Sequence, residues 1–211
     1  MNATGDGRDY GEEATEARRA LAAAIRALTS AMLLTTAGRQ DVARAAELVA
    51  QAQAALGPAL RTSRYEGIAG LAPGAPSNQI VWETHAAFGR SNPMAPPVVV
   101  EESPGRLTGT VSFEGAWEGA PGLAYGGFVA AAFDGLLGRT VLSAGHLAVT
   151  RSLAVRFRRP TPLRTPMRVE AVAGERSGRD VPVTGRLWDG DVLLCEAEAV
   201  FACVEPSHYR L

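Results

Sequence analysis

Apolar residues change their spacing along this chain, and the changes mark its parts. From Glu12 to about Ala37 they recur at helical intervals (Leu21, Ile25, Leu28, Met32), and Gly38 stands where a C-terminal cap is wanted. Asp41 opens a second helical pattern, with Val42, Ala45, Ala46, Val49 and Leu56 on one face and Gly57-Pro58 as its stop. Residues 12–57 therefore read as a helical hairpin: a cover for a sheet edge or a dimer contact, or else a lid over a substrate tunnel. Residues 1–11 are polar and read as a disordered tail, and 58–80, rich in Gly, Pro, Ala and Ser, as a linker.

After the linker the period drops to two. Val98–Glu101 and Leu107–Phe113 read as strands joined by a Ser-Pro-Gly turn, and four more strand-like runs follow at 147–158, 166–175, 181–189 and 192–204. In the last run Leu193, Cys195, Ala197, Ala199, Phe201 and Cys203 make one apolar, mostly small face. Between the two groups lies Gly119–Arg139: a Pro121-Gly122 turn, the pair Gly126-Gly127, then an alanine-rich apolar run that reads as a helix. Its small residues (Ala130, Ala131, Ala132, Gly135, Gly138) predict close approach of a sheet. This order predicts an α+β domain over 81–211, an antiparallel sheet of about six strands wrapped on one long central helix.

One residue in that helix does not fit a purely structural part. Asp134 is the only charge between Glu118 and Arg139, and a lone carboxylate on an apolar helix is costly to bury unless paired or functional. Upstream, the Gly126 N–H at the helix start would aim a partial positive charge at a developing oxyanion, with no side chain in the way. Splitting an activated acyl bond asks for such a polarised carbonyl together with an activated water or a carboxylate nucleophile. Asp134 lies eight residues further on, roughly 12 Å along the axis. It serves the same site only if substrate lies along the helix or a second subunit contributes. On the strand 147–158, strict alternation places His146, Thr150, Ser152, Arg156 and Arg158 on one face. Leu147, Val149, Leu153, Val155 and Phe157 fall on the other.

Composition narrows the chemistry. Net charge is −1, and all 21 basic residues are arginine. Without lysine there is no Walker-type phosphate loop and no Schiff-base chemistry. His85, His146 and His208 show no metal-ligand spacing, no G-x-S-x-G elbow occurs, and neither a metal nor a cofactor is expected. Cys195 and Cys203, on one strand, would be roughly 26 Å apart, so reduced core thiols are expected. The acidic N-terminus and the lack of a long apolar run lead to the expectation of a cytoplasmic protein that binds neither membrane nor nucleic acid. Six arginines (Arg151, Arg156, Arg158, Arg159, Arg164, Arg168) crowd eighteen residues, as a solvated edge or a grip for phosphates.

Three strings in order, SNPMAPP at Ser91–Pro97, GAPGLAYGG followed by Asp134, and LAVTRSLAVRFRRPTPL from Leu147, resemble the hotdog-fold acyl-CoA thioesterases of the PaaI-like branch. The resemblance spans about Phe88 to Val204 and leaves out the hairpin. It implies a homodimer or homotetramer with sites at the interface, and an acyl-CoA or acyl-carrier-protein substrate. The family's mid-helix carboxylate falls on Asp134, its backbone oxyanion donor on Gly126 beside Gly127, and a threonine offered by the partner subunit on Thr150. The Asn near the reacting group falls on Asn92. Where the family has His-Gly-Gly, this chain has Tyr125-Gly126-Gly127. Arg156 and Arg158 are the candidates to hold coenzyme A phosphates. That tyrosine keeps two rival readings open, a non-catalytic acyl-CoA binder and, third, a hotdog hydratase or dehydratase.

Overall fold

The structure, a computed structural model, describes residues 11–57 and 81–205; all but Gly11 of the expected tail, the expected linker and the last six residues lie outside the described residues. The strands are β1 (Val98–Ser103), β2 (Arg106–Val111), β3 (Ala148–Phe157), β4 (Met167–Ala173), β5 (Asp180–Asp189) and β6 (Val192–Cys203). They form one antiparallel sheet in the order β1-β2-β4-β5-β6-β3, so among the described residues β3 pairs only with β6 and leaves an open edge. Among the described residues three complete helices accompany it: α1 (Glu12–Leu34), α2 (Arg39–Ala55) and α3 (Gly126–Ser143). Helix α3 lies across all six strands. This is the six-stranded, helix-wrapping architecture of the hotdog fold.

The sheet is apolar on one face because its strands alternate. Met167, Val169 and Ala171 of β4, Val181, Val183 and Leu187 of β5, and Ala197, Ala199 and Phe201 of β6 are buried, while Arg168, Thr184, Arg186 and Glu198 between them are exposed. Against this face α3 sets Val129, Phe133, Leu136, Leu137 and Val141, each at most 2% exposed. Burying a side chain of this size contributes about 1.5–3 kcal/mol. The expected fit of small helix residues onto the sheet holds only in part: Gly138 lies against Phe201 of β6 and Ala132 is buried, but it is mainly the large residues that face the sheet. Ala131 is exposed, and Gly135 faces the segment 85–88 instead. A Cβ at Gly135 would come within 2.7 Å of Phe88 and 2.9 Å of Ala87 and His85.

Two sequence expectations fail at the N-terminus. Gly38 does not cap α1; that helix ends on extended Thr35, and Gly38 is the N-cap of α2 with an ordinary φ of −72°. The two helices do not close on each other as a packed hairpin. Helix α1 docks on a 3-10 turn, Gly115–Trp117, not on a sheet edge, and α2 has no buried residue.

A third correction concerns β3. Its pairing with β6 shifts between Thr150 and Ser152, so Arg151 is an extra, bulged residue. Thr150 therefore faces the same side as Phe201, whereas Ser152 and Arg156, opposite Val200 and Glu196, face the other. Strict alternation put all three together; the bulge moves Thr150 onto the helix side with Leu153, Val155 and Phe157.

Candidate active site

The approach to α3 is a tied-down loop. The Tyr125 N–H donates to the Trp117 carbonyl (2.8 Å) and the Ala124 N–H to the Thr161 carbonyl (2.8 Å), which holds the backbone extended at Tyr125 (φ −66°, ψ 126°) before it turns into the helix. The N–H groups of Phe128 and Val129 turn back to the Tyr125 carbonyl. Those of Gly126 and Gly127 have no acceptor among the described residues, as the first amides of a helix usually do not. Two aromatic rings explain the glycine pair. A Cβ on Gly126 would press on Phe157 Cζ at 3.1 Å, and one on Gly127 would meet Tyr125 Cε1 at 2.6 Å. Tyr125 and Phe128 stand edge to face, 6.0 Å between centroids, and both are exposed.

Two turns along, Asp134 shares a helix stripe with Gly127 and Ala131, which are both exposed. The carboxylate is half-buried, and its Oδ1 accepts a 2.7 Å hydrogen bond from the Thr150 hydroxyl. The β3 bulge makes this contact possible by aiming Thr150 at the helix. Oδ2 has no hydrogen bond among the described residues. Asp134 is thus not locked to main-chain amides; one oxygen is oriented by a hydroxyl and the other is free to act on a ligand. The resemblance had Thr150 arriving from a partner subunit. The structure joins the pair within one chain.

Other expected residues fall elsewhere. The Asn92 side chain is spent on local turns, donating to the Thr84 carbonyl (3.1 Å) and accepting from the Met94 N–H (2.9 Å). His146 follows the far end of α3 and lines a cavity of about 370 Å³ with Arg176, Arg179 and Cys203, away from Asp134. His85 accepts from the Ala87 N–H and stacks on Phe88 at 4.1 Å, a structural role. Of the six crowded arginines, Arg151 pairs with Asp180, Arg158 with Glu196, Arg164 with Glu114 and Arg168 with Glu170. Arg156 and Arg159 have no acidic partner among the described residues, so Arg158 is the weaker of the two candidate phosphate grips. Burial pushes the Cys195 thiol up against a weaker opposing contact from Thr161, which leaves it a protonated core group. Phe128 and Phe157 were missed as site residues, because only the bulge shows which face of β3 meets the helix start.

The loop before the site is also braced from the N-terminus. Ser30 Oγ of α1 accepts the Ala116 N–H (3.1 Å), and a Cβ on Gly115 would touch Leu34 Cδ1 at 3.6 Å. Arg19 forks onto both oxygens of Glu83, which also accepts from Ser91 (2.9 Å). Burial would raise the Glu83 pKa, but these hydrogen bonds outweigh it and hold the carboxyl below its ordinary value.

A family model described as "Thioesterase superfamily" matches residues 121–196, the stretch holding Gly126, Asp134 and Thr150. A solved structure described as a thioesterase superfamily protein is 28% identical, with a TM-score of 0.73, covering 88% of this chain and 90% of its own. At that coverage the likeness extends well N-terminal to residue 81. The fold is shared by a hypothetical thioesterase with coenzyme A from Streptococcus pneumoniae TIGR4 (15% identity, TM-score 0.50, 52% and 90% of the two chains). A protein of Streptococcus mutans UA159 bound to acetyl CoA also shares it (14%, 0.50, 52% and 90%). Sheet, central helix and matched segment agree: the chain carries the hotdog fold, and its residues 121–196 match the thioesterase superfamily.

Proposed function

We propose that this protein hydrolyses acyl-CoA thioesters to free acid and thiol, as a PaaI-like enzyme whose sites are shared between two copies of the chain. The observation that carries the reading is the Thr150–Asp134 hydrogen bond on the stripe of α3 that begins at the unpaired glycine amides. A reacting carbonyl needs its oxyanion donor and its attacking water each within about 3 Å. In one chain the Gly126 amide and Asp134 are separated by eight helical residues, roughly 12 Å. One carbonyl therefore takes the amide of one copy and the carboxylate of another, brought together beside the open β3 edge.

In that arrangement Thr150 fixes Oδ1 and leaves Oδ2 to take a proton from water. The water oxygen bonds to the thioester carbon, and the carbonyl oxygen gains negative charge against the Gly126 N–H, with Gly127 beside it. Collapse of this intermediate breaks the C–S bond. The thiolate leaves with the proton held by Asp134, giving the acid and coenzyme A and restoring the carboxylate. Tyr125, Phe128 and Phe157 supply an apolar wall for the acyl group, and Arg156 a free fork for phosphate. Coenzyme A is favoured over a carrier protein because the two streptococcal proteins of this fold hold it or its acetyl ester.

The test is thiol release over short, long and aromatic acyl-CoAs with the wild type and Asp134→Asn. The variant should lose about 10²–10⁴-fold in turnover of the preferred substrate. Undiminished release by Asp134→Asn would sink the assignment. Tight binding with no release by the wild type would favour the non-catalytic binder, and a change at the enoyl thioester absorbance band the hydratase.

A further inference from the structure

Helix α1 is attached inside out. It meets the domain through Thr15, Arg19, Ala22, Arg26 and Ser30, using an ion pair and hydrogen bonds to backbone groups. Its apolar stripe, Leu21, Ile25, Leu28 and Met32, lies about a third of a turn away and is 38–66% exposed. Leu33 and Leu34 extend it, and Val42, Leu48, Val49 and Leu56 on and just past α2 are about as exposed. These ten, all between residues 21 and 56, are the majority of the seventeen exposed large hydrophobics among the described residues, so exposed apolar side chains are concentrated on this segment and are not the usual scatter.

We infer that this stripe is an interface with a second copy of the chain, α1 packing on α1 about a two-fold axis and α2 widening the contact. Ten side chains about half exposed offer on the order of 800 Å² of apolar surface, the share one partner brings to a standard-size interface. The spacing of Leu21, Ile25, Leu28 and Met32, four-three-four, is the seam of a helix pair, with leucine and β-branched isoleucine alternating. From Ala24 onward its flanks, Ala24, Thr29 and Ala31, carry no charge, Arg18 standing at the N-terminal end of the stripe, and residues 27–38 contain no charge at all. A partner of other sequence would need a feature to select it, and this surface offers none. An isologous contact needs only itself and closes after two copies. A lipid surface fits poorly: residues 12–55 carry five arginines and five acids, net zero, and no aromatic residue to anchor in an interface. The inference does not rest on the thioesterase reading, and the proposed catalytic interface uses a different surface, α3 and the β3 edge.

Light scattering on the full chain, wild type against Leu21→Ser/Ile25→Ser/Leu28→Ser, reads it directly. The triple variant should have half the wild-type mass with an unchanged circular dichroism spectrum, since the three side chains are already exposed in a single chain. An unchanged mass, or a wild type that is already monomeric, overturns the inference. So does a wild type that co-sediments with phosphatidylcholine vesicles when the triple variant does not. Should the variant fail to fold, Leu28→Cys treated with a short bismaleimide decides: a two-chain band absent from the wild type supports the α1 pair, and no such band rejects it. Thiol release separates the two proposals, because a variant of halved mass that still releases thiol keeps the catalytic reading, whatever α1 does.

Discussion

The two long helices of this molecule, α1 and α3, face opposite ways. Helix α3 turns its large apolar residues onto the sheet and leaves Asp134 and its stripe toward open space. Helix α1 spends its polar residues on its own domain and turns leucines outward. The apolar face of a helix ordinarily points to whatever will cover it. For α3 the cover is in the chain. For α1 the chain supplies none among the described residues, and what α3 leaves uncovered is a half-buried carboxylate in place of a hydrophobic group. The comparison separates two kinds of incompleteness. On the readings proposed above, one surface waits for substrate and a complementary half-site; the other waits for apolar contact alone.

The α3 side of the comparison breaks most sharply if the shared site is wrong. Gly126→Pro deletes the N–H while keeping a backbone suited to the first helical position, and Tyr125 is already extended as a pre-proline residue must be. Turnover should fall by about 10²–10³-fold, the usual effect of losing one oxyanion donor. Mixing Gly126→Pro with Asp134→Ala chains should then restore activity, because a mixed pair holds one site with both groups intact. At equal amounts half the pairs are mixed, so about a quarter of wild-type activity is the expected ceiling. No recovery after verified subunit exchange would place amide and carboxylate in one chain's site. A smaller effect tests how α3 is held. Gly135→Ala drives a methyl into Phe88, Ala87 and His85 and should lower stability by about 1–3 kcal/mol in denaturant unfolding, whereas an unshifted midpoint would mean that segment 85–88 yields freely.

How much of this was legible in the sequence depends on the range of the interactions involved. Strand order, the central helix, and the lone Asp134 downstream of two glycines follow from local pattern, and the structure keeps all of them. Thr150 was named from the family resemblance, yet its orientation came out wrong, since one bulged residue, Arg151, reverses which way the strand faces. A bulge is set by pairing with β6, about fifty residues away, and leaves no mark in a period-two pattern. The arginine cluster failed largely for the same reason: the acids Asp180, Glu196 and Glu114 stand on other strands and loops, and only Glu170 shares a strand with its arginine, Arg168. The α1 stripe was read correctly as a stripe, and its direction was not readable, because the polar residues that anchor α1 look like an ordinary solvent face until Glu83 and Ala116 are placed beside them.

The smallest expected effect bears on that anchor. Glu83 has a folded pKa below its unfolded one because the Arg19 fork and Ser91 outweigh its burial. Its contribution is therefore complete above the ordinary carboxylate range and is lost as pH falls through the depressed folded value. Arg19, raised above an already high value, stays charged throughout and adds no pH dependence of its own. Hydrogen-exchange protection of the α1 amides should accordingly be flat from neutral to mildly acidic pH and fall off below about pH 4. In Glu83→Gln it should start lower, by about 1–2 kcal/mol of opening free energy, and lose most of that acid step. If α1 protection in the wild type instead fell between pH 5 and 7, another group would be holding the helix. If Glu83→Gln left protection intact, the outward leucines, covered by a second chain, would be doing more to fix α1 than its own domain does.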